Sequence, residues 1–309
     1  GPAAVGGGGG RDRHLRDAAA DGAAGLDRQP YRGAGTAGDG AAGVLAQSIG
    51  GGGGAGGGGA ALAFGRDGDG TADLADLQPD DATVASSSFY PAANSWATLA
   101  YEDAWPQKGD FDFNDLVVRE RFQSLLNTQG KMTGMIISGF IDARGGAFRN
   151  GFALRLIQQP TSLIKSASVT VAGTTRALEP ETKQSNPVFL LWNDSATYTT
   201  TGETGSCSHF NTIKTCQNFA PVPYSLEVRF NTSIVPISHA QLDFFIFRSD
   251  FRGREIHFAD YPPTDRFDKT QFGKFDDTSK IAEGRYFRTQ KNLPWALKIS
   301  EPWRYPREY

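Results

Sequence analysis

A run of oxygen-bearing side chains lies between residues 101 and 118, in the stretch YEDAWPQKGDFDFNDLVV. Two acidic residues open the stretch, and four more oxygen-bearing residues follow within positions 110–115, just before the apolar LVV. The six side chains are those of Glu102, Asp103, Asp110, Asp112, Asn114 and Asp115. Carboxylates this close together repel one another unless a cation or a hydrogen-bond network compensates their charge. The spacing therefore predicts a cation site.

Calcium suits these residues best. It takes about six to eight oxygen ligands in flexible geometry, whereas magnesium requires a stricter octahedron, and zinc and copper prefer nitrogen or sulfur. In an extended segment, successive side chains face opposite sides. Asp110, Asp112 and Asn114 would then face one side, where they could share an ion. Phe111 and Phe113 would face the other side and anchor the segment in the core.

The stretch is not an EF-hand, although it begins with the same D-x-D-x-N pattern. Asp115 stands where that loop requires Gly, and Arg121 stands where it requires Glu. The alternative to a metal site is an acidic turn that is capped by its own backbone in Asx-turns. In that case Lys108 or Arg119 would neutralise the carboxylates.

A second acidic cluster lies upstream, in DGDGTADLADLQPDD over residues 67–81. Its four spaced carboxylates belong to Asp67, Asp69, Asp73 and Asp76. The pattern resembles thrombospondin type 3 calcium repeats, and bound calcium would stiffen this connection. Extracellular calcium modules bind at about 10⁻⁴–10⁻³ M, so such a site would be occupied outside the cell. The alternative is a solvated acidic linker.

The two cysteines, Cys207 and Cys216, lie in CSHFNTIKTC. Their spacing is compatible with a local disulfide, which is typical of exported proteins, and also with two free thiols in a loop. A zinc site is not expected, because His209 alone does not complete the ligand set.

A further candidate is the stretch RGREIH, with Arg252, Arg254, Glu255 and His257 on alternating sides. These residues form a possible interaction patch. The competing interpretation is an internal strand whose charged side chains form salt bridges with one another.

The composition divides the chain into three parts. Residues 1–65 contain 23 of the 38 glycines, and such a sequence cannot bury enough apolar surface to offset its backbone entropy. We therefore expect a disordered Gly/Ala-rich low-complexity segment over residues 1–63. An acidic calcium-type linker follows over residues 64–85, and a folded domain over residues 86–309.

The folded domain is predicted to be all-β. Eight short segments are rich in β-branched and aromatic residues and are separated by Gly, Pro, Asn or Asp. They are WATLAYED, DLVVRERF, KMTGMIISGFIDA, GFALRLI, SASVTVAG, NPVFLLW, YSLEVRF and AQLDFFIFRS. In FALRL, for example, Phe152, Leu154 and Leu156 should face the core. Many short strands of this kind favour an antiparallel β-sandwich or a jelly-roll-like domain.

The overall composition excludes some functions. The formal net charge is −3, so nothing in it favours nucleic-acid binding. No apolar run approaches the roughly 18 residues of a transmembrane helix. No signal peptide is visible, but the sequence begins with Gly and not Met, so we expect a fragment or a processed piece of a longer protein.

Four stretches resemble the bacterial LruC-domain family: residues 90–122, 148–156, 252–265 and 284–306. The family has an acidic DGDG linker followed by a TLAFEDLWPSKGDYDFNDLVV-like signature, which TLAYEDAWPQKGDFDFNDLVV resembles. Together with the linker, the resemblance covers residues 64–309. It implies an exported or surface-anchored bacterial protein with a C-terminal domain of uncharacterised function. Ala104 replaces the usual Leu, and the chain ends at Tyr309, where family members continue with an aromatic tail that could add a final strand.

These observations favour a non-enzymatic, calcium-binding module at the bacterial cell surface or outside the cell, acting in adhesion or matrix interaction. The sequence does not name its surface or matrix partner, and a glycan is one candidate. A carbohydrate-binding module is therefore the alternative function. Its candidate sugar-stacking residues are Trp96, Trp105, Trp192, Trp295 and Trp303. Most of them could equally be core aromatics.

A glycan hydrolase is the less favoured alternative. Glu102 with Asp103 or Asp115 could supply a general acid and a general base. Carboxylates packed this densely suit a shared cation better than a divided acid and base. The sequence also contains neither G-x-S-x-G nor H-E-x-x-H.

Overall fold

The computed structural model describes residues 65–68, 71 and 78–308 of the chain. The low-complexity segment predicted over residues 1–63 lies outside the described residues. So do Asp69, Asp73 and Asp76 of the predicted acidic linker.

Twelve β-strands make up most of the regular structure of the described residues. In chain order they are β1 (Ser86–Tyr90), β2 (Ala97–Tyr101), β3 (Leu116–Leu126), β4 (Met132–Ala143), β5 (Asn150–Leu156), β6 (Ile164–Val171), β7 (Thr174–Ala177), β8 (Val188–Trp192), β9 (Val222–Ile234), β10 (Leu242–Arg248), β11 (Phe251–Ile256) and β12 (Ala296–Ile299). Short 3₁₀ helices lie between them, at Thr161–Leu163, Ser195–Thr197, Gly205–Ser208, His239–Gln241, Lys269–Gln271 and Ile281–Glu283. None of the helices in the described part of the chain has the length and apolar composition needed to cross a bilayer.

The strands pair antiparallel in two sheets. The larger sheet has the order β12-β2-β3-β4-β9-β6-β7, with β1 also paired to β3, and the smaller sheet has the order β11-β10-β5-β8. Phe152 of the smaller sheet packs against Tyr101 and Tyr224 of the larger sheet, with ring centroids 6.3 and 6.2 Å apart. The two sheets thus face each other across one aromatic core, which confirms the predicted all-β sandwich.

Alternation along the strands explains which residues fill the core. In β9, Tyr224, Leu226, Val228 and Phe230 are buried, and the residues between them are more exposed. Phe152, Leu154 and Leu156 of β5 join the main core as predicted. The strands β5 and β10 are buried on both faces, since the chain after β11 covers the outer face of the smaller sheet. All eight predicted segments contain a strand; the short β1, β7, β11 and β12 add to them.

The position of the acidic stretch follows from the pairing of β2 with β3. Ala97 lies opposite Glu120, and Tyr101 lies opposite Leu116. Because these neighbours run antiparallel, the end of β2 and the start of β3 meet at one end of the sheet. Residues 102–115 must therefore form a loop there, which we call the acidic loop.

Candidate metal centre

Two tryptophans anchor the acidic loop to the body of the domain. Trp105 is fully buried, and its Nε1 donates to Asp277 Oδ1 at 3.2 Å. Trp295 is also fully buried, and its Nε1 donates to the carbonyl oxygen of Gln107 at 2.7 Å. The backbone N–H of Glu102 in turn donates to the carbonyl oxygen of Trp295 at 2.9 Å. These contacts fix the first half of the loop.

The second half of the loop is not extended. Phe111 and Phe113 have positive φ angles of 61° and 57°. The predicted strand-like alternation is therefore wrong here, because left-handed residues turn the chain instead of extending it. Both rings are only half-buried; they pack on each other with centroids 6.0 Å apart, and Phe111 also packs on Trp295. The loop folds back over Glu102 as a result.

This fold-back brings three carboxylates together. One oxygen from each of Glu102, Asp110 and Asp112 lies within 4.8 Å of the others. The side chains differ in burial: Glu102 is fully buried, Asp112 is half-buried, and Asp110 is exposed. We call these three residues the carboxylate triad. It is open to solvent on the Asp110 side and closed on the Glu102 side.

One oxygen of Glu102 has no protein partner. Oε1 accepts the backbone N–H of Phe113 at 2.6 Å, whereas Oε2 is buried and makes no hydrogen bond. Gly109, with φ of 65°, passes so close that an added Cβ would lie 2.5 Å from Oε2. A buried acceptor left without a donor costs free energy. The geometry therefore leaves one buried oxygen of a triad residue without a partner and available to a cation.

The electrostatics of the triad are those of uncompensated acids. Burial raises the pKa of the Glu102 carboxyl to about 7, against the opposing backbone N–H groups of Phe113 and Phe111, and the charges of Asp110 and Asp112 add to the increase. Burial also raises the pKa of Asp112. A divalent cation bound among these oxygens would compensate the repulsion.

Asn114 supports the triad and does not extend it. Its backbone N–H donates to Asp112 Oδ1 at 3.2 Å, and its side-chain Nδ2 donates to Asp112 Oδ2. Nδ2 also lies 3.3 Å from the carbonyl oxygen of Pro306. The amide thus turns its donor group toward Asp112 and holds that carboxylate in place.

Asp103 and Asp115 form a separate pair. The backbone N–H of Asp103 donates to Asp115 Oδ2 at 2.7 Å, and Asn150 Nδ2 donates to Asp103 Oδ2 at 2.6 Å. Burial, and then the adjacent charge of Asp103, raise the pKa of Asp115 to about 9. Asp115 therefore bonds to the backbone of Asp103, and its surroundings disfavour the charged form of its carboxyl group. The predicted six-residue cluster thus divides into a triad, its supporting amide and the Asp103–Asp115 pair.

The sequence did not point to two residues that position this pair. Asn150 opens β5, and Gly146 lies just before it, where an added Cβ would overlap Asp103 Oδ2. Both lie in a connection distant in sequence from the acidic loop. The signal available in the sequence was the polar Asn150 at the start of β5, a strand that is otherwise largely apolar.

Of the four aspartates predicted as ligands in the upstream cluster, only Asp67 lies among the described residues. It occupies a turn in which the N–H of Gly68 donates to the carbonyl oxygen of Gly65 at 3.1 Å. The other three aspartates predicted as ligands lie outside the described residues, so the predicted linker site stays a prediction.

The predicted disulfide is present. Cys207 and Cys216 are bonded, with Cα atoms 5.5 Å apart. The bridge closes the region around the 3₁₀ helix Gly205–Ser208.

The predicted interaction patch is not a surface. Glu255 and His257 are fully buried, and His257 lies 2.9 Å from both Asp243 and Glu255. Arg252 pairs with Glu255 and, at 2.7 Å, with Glu181. The half-buried Arg254 donates from Nε to the carbonyl oxygen of Trp105 at 3.0 Å. The charged residues therefore form a salt-bridged interior network, because covering segments exclude water from this face of the smaller sheet.

The proposed sugar-stacking face also needs correction. Trp105, Trp192 and Trp295 are buried in the core, so they present no ring to solvent. Trp96 is half-buried between Phe140 and the guanidinium of Arg121. The tryptophans therefore do not form a common exposed surface.

Comparisons with known proteins place the chain in a family. No curated protein matches it by sequence. Its fold is similar to that of a crystal structure from Bacteroides ovatus described as a "Putative lipoprotein", with a TM-score of 0.51, 14% identity, and coverage of 69% of this chain and 66% of that one. The chain thus spans just under two thirds of that protein, and the similarity concerns the fold alone. The family described as Domain of unknown function (DUF4842) matches residues 130–309, which is more than half of the chain. The chain belongs to this DUF4842 family.

Proposed function

We propose that this chain is a calcium-binding β-sandwich module that acts outside the cell, at the bacterial surface, without catalysing a reaction. The observation that carries the proposal is the side chain of Glu102, whose buried Oε2 has no hydrogen-bond partner and whose carboxylate lies in a triad with Asp110 and Asp112. A cation with oxygen ligands would supply the missing partner. It would also allow all three carboxylates to be charged together.

The ligand set favours calcium over other metals. The triad offers only oxygen, so zinc and copper are poor matches. The three carboxylates differ in burial and come from a loop, which suits the variable coordination of calcium better than the strict octahedron of magnesium. Asp103 and Asp115 stay outside the ligand set in this proposal, because they are hydrogen-bonded to each other.

Three observations support a location outside the cell. The Cys207–Cys216 disulfide is typical of oxidising compartments. The fold is similar to that of a protein described as a lipoprotein, a class held at membranes by a lipid anchor. The stretch at residues 90–122 resembles the signature of the LruC-domain family, which we propose as the closer grouping within DUF4842. Adhesion or matrix binding is the role that we propose there.

The arrangement of the carboxylates supports binding over hydrolysis. Glycosidases keep their acid and base at least about 5 Å apart, so that the sugar fits between them. The triad oxygens lie within 4.8 Å of one another, and Asp115 is engaged with Asp103. We therefore propose a non-enzymatic role.

Thermal unfolding tests the proposal directly. The full chain is heated with calcium, with magnesium and with chelator, and calcium should raise Tm by several degrees because it binds only the folded state. Glu102→Gln should abolish the increase. Glu120→Gln is the matched control, because Glu120 is also fully buried with an unpartnered Oε2 but lies outside the triad. It should keep the increase. No calcium-specific increase in the wild type would overturn the proposal.

A further inference from the structure

A groove opens directly beside the carboxylate triad. It is bounded by residues 108–111 of the acidic loop and by the segments 275–278 and 289–293, and its volume is about 550 Å³. This is within the range of pockets that hold small ligands, about 300–1,000 Å³. Asp110 lines the groove and also belongs to the triad. A ligand in the groove could therefore contact the proposed calcium ion.

Two aromatic residues line the groove in unusual conformations. Phe275 is 75% exposed and has a φ of 52°, and Phe111 has a φ of 61°. A bulky residue rarely adopts a positive φ, and such conformations cluster at binding sites. An exposed phenyl ring also gains nothing from the core of its own domain. Phe275 is therefore placed to stack on a ligand.

Cationic side chains complete the groove. Lys108 and Lys291 are both exposed on its lining and come from different segments of the chain. Asp276 accepts the backbone N–H of Lys108 at 3.1 Å, which ties two of the lining segments together. With calcium bound to the triad, the groove would present one divalent cation, two ammonium groups and a phenyl face, beside the carboxylate of Asp276, which is engaged with the Lys108 backbone.

We infer that this groove binds an acidic oligosaccharide, whose carboxylate bridges the calcium ion and a lysine while a sugar ring stacks on Phe275. A uronate sugar combines the required groups: a carboxylate for the cations, and an apolar ring face for the phenyl group. A neutral glycan would leave the cations unpartnered. An acidic peptide would offer carboxylates but no rigid ring face for Phe275. This inference rests on the proposed calcium site, because Asp110 is common to both.

Isothermal titration calorimetry on the full chain tests the inference. The probes are short oligomers of galacturonate, glucuronate and guluronate, with maltotetraose as the neutral control and a short poly-glutamate peptide as the acidic control. At least one uronate oligomer should bind with calcium, and binding should fall at least about tenfold in chelator. Failure of every uronate oligomer to bind, equal binding of either control, or binding unchanged by chelator would overturn the inference.

Variants separate the groove from the metal site. Phe275→Ala and Lys291→Ala should each weaken uronate binding at least about fivefold and leave the calcium-dependent increase in Tm unchanged. Phe251→Ala and Lys131→Ala are matched controls, because both residues are exposed and lie outside the groove. They should bind as the wild type does. If calcium raises the Tm of the wild type but no uronate oligomer binds, only this inference is overturned. If calcium does not raise the Tm of the wild type, the proposed calcium site is overturned.

Discussion

The carboxylate of Glu102 accepts the backbone N–H of Phe113 through Oε1 at 2.6 Å and leaves its Oε2 buried without a partner. The bond crosses the acidic loop, so it holds the left-handed turn at Phe113 against the start of the loop. One oxygen of this side chain therefore has a structural role, and the other is available to a cation. A residue that only capped the loop would not need its second oxygen buried.

The exposed member of the triad should contribute affinity and little stability. Asp110→Asn should weaken calcium binding at least about tenfold, because it removes one charge from the ligand set. In chelator its Tm should match that of the wild type within about one degree, since the side chain is exposed. Calcium titration by calorimetry and thermal unfolding in chelator measure the two effects. The control is Asp250→Asn, an exposed aspartate outside the triad and outside the acidic linker; equal calcium affinity in Asp110→Asn and Asp250→Asn would contradict the assignment.

Removal of the buried imidazole should destabilise the domain strongly. His257→Ala leaves Asp243 and Glu255 facing each other in the interior, and breaking a buried ion pair costs about 3–5 kcal/mol. Urea unfolding at neutral pH measures the free energy. His209→Ala, which removes a half-buried imidazole, should cost less than about 1.5 kcal/mol. Similar losses in the two variants would mean that the buried network is not held by His257.

The pKa values of the two buried histidines, His257 and His239, should lie on opposite sides of the ordinary histidine pKa. Burial opposes the charge on His257, but Asp243 and Glu255 outweigh it and raise the pKa above 6.5. Burial lowers the pKa of His239 below 6.5 despite Glu120. Titration of the imidazole proton resonances by NMR measures both pKa values. A pKa of His257 below that of His239 would contradict the described network.

These shifts have consequences of opposite sign for stability. The stabilisation from protonated His257 is complete below about pH 6.5 and is lost as the pH rises through its raised folded pKa. The contribution of His239 is complete above about pH 6.5 and is lost as the pH falls through its lowered folded pKa. In His257→Gln, the loss of stability on the alkaline side should therefore be smaller than in the wild type. Urea unfolding between pH 6 and pH 9, in chelator, measures the difference.

Loss of the disulfide should weaken the domain without affecting the metal site. The bridge joins cysteines that are 9 positions apart, and a loop of this size contributes about 2–3 kcal/mol. The double variant Cys207→Ser with Cys216→Ser should therefore lower Tm and keep the calcium-dependent increase. The reduced wild type should have the same Tm as the double variant. Loss of the calcium effect in the double variant would show coupling between the two regions.

A side chain at position 146 should disturb the aspartate pair. In Gly146→Ala, the added Cβ would overlap Asp103 Oδ2 and lie 3.1 Å from Asp115 Cβ. Overpacking of this kind costs about 1–3 kcal/mol. Urea unfolding in chelator measures the cost, and an unchanged free energy would show that the pair can move aside.

Local patterns in the sequence predicted the architecture correctly. The eight predicted segments all contain strands because period-two alternation and turn residues are local properties of the chain. The short edge strands β7 and β12 carry no such pattern, and the pairing of β1 with β3 involves the polar run SSSFY. Their strand structure depends on a neighbouring strand, which the local sequence does not specify.

The sequence by itself determined that this chain is a β-sandwich with an oxygen-rich loop, since each depends on composition or short spacing. It left the two cysteines as either a disulfide or free thiols, and the structure shows the disulfide. Only the tertiary structure decided how the acidic residues divide. Glu102 joins Asp110 and Asp112 because left-handed residues fold the loop back, and Asp103 pairs with Asp115 because Asn150 and Gly146 approach from another part of the chain. Burial likewise decided between the two interpretations of the RGREIH stretch, in favour of the internal salt-bridged strand over the interaction patch. Burial and long-range approach depend on the packed sheets as a whole, so short patterns in the sequence could not reveal them.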